Sequence, residues 1–174
     1  MNKDYSFSRF VLVNRVALPV FLLVSLSGLL FGVFLAETQT SLVHICFSEL
    51  FVRPSAILLL LTILMPVAAF CLILRKQLQV LLYLIAFFWF VCHGFCGMLL
   101  YMTIGEGAWL LRCLLMFSSN AVSVFICWLF ARHCEKVQLS FVRDVRLVSF
   151  LSVVVFILDI FLISPFLSHL LMYF

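Results

Sequence analysis

Five apolar runs, each of about 20 residues or more, occupy most of the chain: 16–36, 54–74, 78–103, 108–131 and 147–173. A helix crosses the roughly 30 Å hydrocarbon core of a bilayer in about 20 residues. Inside that core every backbone N–H and C=O must find its partner within the protein, which leaves helices or a closed barrel. Uninterrupted runs of this length predict helices, so the fold class is all-α: a polytopic membrane bundle of five transmembrane helices in a single domain. Composition excludes the soluble alternative. Hydrophobic residues make up 67% of the 174 positions and charged residues 10%, against about 45–50% and 25% in a soluble domain.

Basic residues set the orientation. With a cytoplasmic N-terminus, the inner side holds Lys3, Arg9, Arg15, Arg75, Lys76, Arg132, Lys136, Arg143 and Arg146, nine of the eleven Lys and Arg. The outer side holds Arg53, with Glu37, Glu49 and Glu106, and Arg112 lies within a run. This asymmetry follows the positive-inside rule and predicts N-in, C-out. The net charge of +4 is accounted for by these flanking residues. No basic cluster with interleaved aromatics points to nucleic acid. The run 16–36 is too long for the apolar region of a cleaved signal and lacks a small residue at the right place before Ala36, so it reads as an uncleaved anchor. Seven cysteines without repeated spacing form no disulfide framework and read as small apolar residues. The connection Glu37–Arg53 and the inner segment Glu135–Arg146 each read as an ordinary loop or a surface-lying helix.

Within the runs, Gly28, Gly32 and Ala36 stack at four-residue spacing, a small-residue face that admits a neighbouring backbone and predicts intramolecular packing. Pro66 deprives the Thr62 carbonyl of its usual partner and predicts a kink, with a hydroxyl or a neighbouring helix compensating. Cys92, His93 and Cys96 raise an intramembrane nucleophile–base pair or a metal site. The two thiols share a face that His93 does not, and two thiols alone make a poor zinc site. Packing is the expectation for all three, and the chain is predicted to have no catalytic centre, metal or cofactor. Arg112 lies about 6 Å below the outer boundary, and Ser118, Ser119 and Asn120 fall near mid-depth, where polar groups need partners on other helices.

Asp159 is the most constrained residue. A lone charge at its depth costs at least about 2.5–3.5 kcal/mol, so it must be neutralised, paired or in contact with water. Ser149, Ser152 and Asp159 recur near one face of the last run. Together with Asn120 and Arg112 they predict a polar seam between the fourth and fifth helices, serving as structural glue or as a transport path. Asp159 is expected to face Arg112, or, if Arg112 reaches outward instead, to bond Asn120 or serines.

The last run carries an acid, an aromatic and a hydroxyl-proline step, Asp159-Ile160-Phe161-Leu162-Ile163-Ser164-Pro165-Phe166-Leu167, and the fourth carries Leu114-Leu115-Met116-Phe117-Ser118-Ser119-Asn120. With Gly28 and Gly32, these resemble the stage II sporulation protein M family of multi-pass bacterial membrane proteins. The chain departs from that pattern in having Asp159 for the usual Glu and Ser118 for a Pro, and the second run lacks the family's Asn and Gly. The resemblance implies a non-enzymatic scaffold in the bacterial plasma membrane. Its partners would be the lipid bilayer and membrane-anchored cell-wall hydrolases, during peptidoglycan remodelling in sporulation. The alternative is the membrane-spanning permease subunit of an ABC-type or other transporter, whose nucleotide-binding partner would be a separate chain, since no phosphate-binding loop is present.

Overall fold

The computed structural model describes residues 4–39, 56–76, 78–105, 109–134 and 141–166. Within them the regular structure is helical: α1 (Asp4–Thr38), α2 (Ala56–Lys76), α3 (Gln79–Ile104), α4 (Trp109–Leu115), α5 (Phe117–Cys134) and α6 (Phe141–Leu158), the last running into a π-helical turn at Asp159–Ile163. α3 stops at Gly105, whose positive φ of 82° suits a residue without a side chain, and whose N–H donates to the Tyr101 carbonyl at 3.0 Å. α2 runs through Pro66 without a break. Thr62 Oγ1 donates to the Leu59 carbonyl at 2.8 Å. The segments 40–55, 106–108, 135–140 and 167–174, which include most of the outer connection and the basic residue Lys136, lie outside the described residues.

Three helices, not five, are long and apolar enough among the described residues to cross a bilayer: Val16–Thr38, Val80–Ile104 and Val145–Phe166. This is a multi-pass membrane protein. The second expected span shortens to an apolar stretch of Leu59–Leu74. The fourth, expected over 108–131, is interrupted at Met116. Its longer part opens on Ser118-Ser119-Asn120 and closes on Arg132 and His133, so a purely apolar window of spanning length does not form there. The three long spans bury only 22%, 28% and 17% of their residues inside the protein. Leu22, Leu23, Leu30, Phe34, Phe88, Phe150 and Phe161 point outward, as a lipid-facing belt should.

Association inside lipid rests on close packing and interhelical bonds, because burying apolar surface from an apolar solvent gains nothing. α1 and α3 form the most extensive pair. A Cβ on Gly28 would sit 2.6 Å from the Phe87 carbonyl oxygen, one on Gly32 would overlap the Val91 carbonyl oxygen, and one on Gly94 would overlap that of Leu29. Ala36 is fully buried. The main core gathers around Phe130 of α5. Its ring stacks on Phe21 of α1 at 4.1 Å between centroids and lies 5.7 Å from Tyr83 of α3 and 6.5 Å from Phe70 of α2. Ile63, Val67, Leu82, Ala86, Val122, Ile126, Val148 and Val155 extend this cluster along the bundle. A smaller cluster of Leu99, Leu100 and Met116 closes the other end of α3 against α4.

Candidate functional site

The main core ends at Val122 on α5 and Val155 on α6. α5 and α6 are packed neighbours joined by residues 135–140, too few to run back along the 18 residues of α5, so the two helices are antiparallel. Moving four residues past each valine in the same outward direction, about 6 Å along each axis, reaches Ser118 on α5 and Asp159 on α6. Both are buried, at 7% and 9% exposure. Among the described residues the Ser118 hydroxyl has no hydrogen-bond partner, and the Asp159 carboxyl makes no hydrogen bond or ion pair.

Beside this pair runs a polar ladder between α3 and α5. Trp89 Nε1–H donates to Ser123 Oγ at 2.9 Å, Ser123 Oγ–H donates to the Ser119 carbonyl at 2.9 Å, and Ser119 Oγ bonds His93 Nδ1 at 2.7 Å. Ser119 lies one residue from Ser118, so the ladder and the buried pair share a depth. The spacing on α3, Trp89 to His93, matches that on α5, Ser123 to Ser119, four residues each. Two antiparallel helices can therefore bond twice along one contact line. Sequence reading located Ser118, Ser119 and Asn120 and their need for partners. It sought those partners on the last helix, while the structure supplies them from α3. Trp89 and Ser123 were missed, although indole N–H at helical spacing from a mid-span histidine was the signal available.

The other predicted residues are dispersed. Ser152 is buried and donates to the Val148 carbonyl of its own helix at 2.8 Å, so it bonds nothing across the bundle. Ser149 is exposed and Asn120 half-buried. The Arg112 guanidinium lies over the Tyr101 ring, 5.2 Å from its centroid, and Arg112 and Asp159 form no ion pair among the described residues. Arg112 sits on α4, beyond the interruption at Met116, and its long side chain reaches the aromatic ring at the far end of α3 rather than the interior. Cys92 is exposed toward lipid and Cys96 half-buried. His93 faces Ser119, with Phe90 edge-on at 6.3 Å.

Chemically, the His93–Ser119 contact joins a hydroxyl and an imidazole, but among the described residues no third group bonds the other ring nitrogen to orient it, as a nucleophile–base pair requires. No cluster of three or more His, Cys, Asp or Glu able to hold a metal occurs among the described residues.

The π-turn begins at Asp159. Ser164 N–H reaches the Asp159 carbonyl five residues back. The next bond of that register would run from residue 165 to the Ile160 carbonyl, and Pro165 has no N–H to make it. Widening the turn also moves the Phe161 carbonyl, four residues back, away from the proline ring. A buried carboxyl and a backbone carbonyl deprived of its donor thus adjoin in one turn. Comparison with family models, curated proteins and solved structures returned no match.

Proposed function

We propose that the protein is a non-enzymatic integral membrane scaffold with five crossings, N-terminus inside and C-terminus outside. It would hold peptidoglycan-remodelling enzymes at a bacterial plasma membrane, as the stage II sporulation protein M resemblance implies. The observation that carries the reading is the α3–α5 ladder. Trp89, His93, Ser119 and Ser123 bond one another and tie two helices together, the use expected of polar groups that serve as interhelical links. In this reading the 16-residue stretch Leu59–Leu74 and the interrupted α4–α5 also cross, because the basic residues alternate sides only with five crossings. Cell-wall hydrolases meet the outer surface.

One observation favours a second reading, a permease subunit. The last helix breaks into a π-turn where its buried acid stands, and broken helices with intramembrane acids recur in transporters. Affinity capture from solubilised membranes separates the two. A peptidoglycan hydrolase recovered with the chain supports the scaffold, and an ATPase recovered instead supports the permease. Orientation is tested by single cysteines in a cysteine-free background. An impermeant reagent should label Thr40→Cys in intact cells and leave Gln77→Cys unlabelled, and the opposite pattern rejects N-in, C-out.

A further inference from the structure

We propose that Asp159, Ser118 and the π-turn at Asp159–Ile163 form a binding site for a monovalent cation inside the bundle. Three independent features converge on one level of the structure. Asp159 is more than nine-tenths buried and makes no bond among the described residues. Ser118, on the facing antiparallel helix and equally one turn past the core, buries a hydroxyl that has no partner. The backbone itself opens at this point, the carbonyl of Ile160 losing its donor to Pro165. Buried polar atoms are bonded in nearly every native structure, and groups left over mark a water or an ion. All three groups here are oxygens, the ligands of alkali cations, and a hydroxyl and a carbonyl both present lone pairs to a positive charge.

The charge of the ligand follows from its surroundings. α2 and α5, the helices packed against α6, carry their basic residues at their C-terminal ends, Arg75 and Lys76 on α2 and Arg132 and His133 on α5. Those ends lie on the far side of the core from Asp159. Arg112 reaches Tyr101 instead. A single carboxylate is therefore the only formal charge at this level among the described residues. One positive charge neutralises it, whereas a divalent ion would leave an excess charge in a low-dielectric interior. The site requires no transport. It stands apart from the scaffold reading, and loss of one leaves the other intact.

The test uses the full chain purified in detergent, with thermal unfolding followed in LiCl, NaCl and KCl against choline chloride at equal ionic strength. An ion that binds the folded form raises the melting temperature along a saturable curve. The expected result is a saturable rise with at least one alkali cation and none with choline. Asp159→Asn, which keeps the side-chain shape, should remove the rise. Ser118→Ala should weaken the apparent affinity about threefold to tenfold, and Pro165→Ala, which returns a donor to Ile160, should weaken it similarly. The same rise in Asp159→Asn as in the native chain overturns the proposal. So does a melting temperature that follows pH alone and treats all four salts alike, which would make a proton the sole occupant. If Asp159→Asn does not fold, Ser118→Ala and Pro165→Ala decide the matter, and unchanged affinity in both overturns it.

Discussion

Gly32→Ala measures the closeness of α1 and α3 directly. The added methyl would overlap the Val91 carbonyl oxygen and stand 2.8 Å from the Phe95 nitrogen and 2.9 Å from the Val91 carbonyl carbon. All three atoms are backbone, so no side chain can rotate away and the helices must separate. Overpacking of this kind costs typically about 1–3 kcal/mol, and a gap of about 0.5–1 Å along the remaining contact line forfeits a quarter to a half of each dispersion contact. The top of that range, about 3 kcal/mol, applies. Alanine recovers roughly 1 kcal/mol in helix propensity, leaving a net loss of about 2 kcal/mol.

Gly97→Ala is the control. Its methyl would meet the Met116 sulfur at 3.8 Å, an ordinary contact, so only the propensity gain of up to about 1 kcal/mol remains. The two variants should differ by about 3 kcal/mol by the same estimates, with Gly28→Ala between them. Reversible unfolding in mixed micelles on titration with a denaturing detergent reads these differences. Equal stability for Gly32→Ala and Gly97→Ala would refute the close backbone approach and with it the α1–α3 pairing.

Phe130→Ala removes the ring on which α1, α2 and α3 converge and should cost about 3–5 kcal/mol, read in the same titration. A double-mutant cycle of His93→Ala and Ser119→Ala should give a coupling of about 0.6 kcal/mol and no more than about 1.7, and zero coupling would deny the bond between α3 and α5. Arg112→Gln and Asp159→Asn should be additive within about 0.5 kcal/mol, since they form no pair, and a strong coupling would place Arg112 in the interior after all.

The helices were legible because spanning length and apolar continuity leave the backbone few options. The expected starts and ends of the first three runs fall within a few residues of α1, α2 and α3. The interruption at Met116 was not legible, because nothing in Leu114-Leu115-Met116-Phe117 breaks a helix by propensity. Nor was the partner of each polar residue. Period and depth place Ser119 and Asp159 at one level, but which neighbour faces which depends on the rotation of each helix about its axis, and a single sequence does not fix that rotation. The small-residue face was readable on α1 since Gly28, Gly32 and Ala36 repeat at one spacing. Its counterpart on α3 is one residue, Gly94, hidden between Cys92, His93 and Cys96, where attention to reactive side chains obscured the absence of one.

The bundle holds its helices by unequal means. α1 is locked to α3 by backbone contact at three glycines and by the Tyr83 hydroxyl, which donates to the Ala17 carbonyl at 3.4 Å. α5 is joined to α3 by two side-chain hydrogen bonds. Among the described residues, every side-chain hydrogen bond between helices begins on α3. α6 has no such link. It presents Val148, Ser152, Val155 and Asp159 to α2 and α5, and the one hydroxyl on that face is turned back onto its own carbonyl. In lipid, where apolar contact alone associates helices weakly, a helix held in this way is the least constrained of the set. Its interruption at Asp159 loosens it further, because a π-turn replaces the regular ladder and Pro165 omits a bond. An ion held between Asp159 and Ser118 would supply the missing tie from α6 to α5. Its effect should therefore fall on the outer half of α6 first, with backbone hydrogen exchange slowing over Asp159–Ile163 before it slows in the helices already bonded to α3.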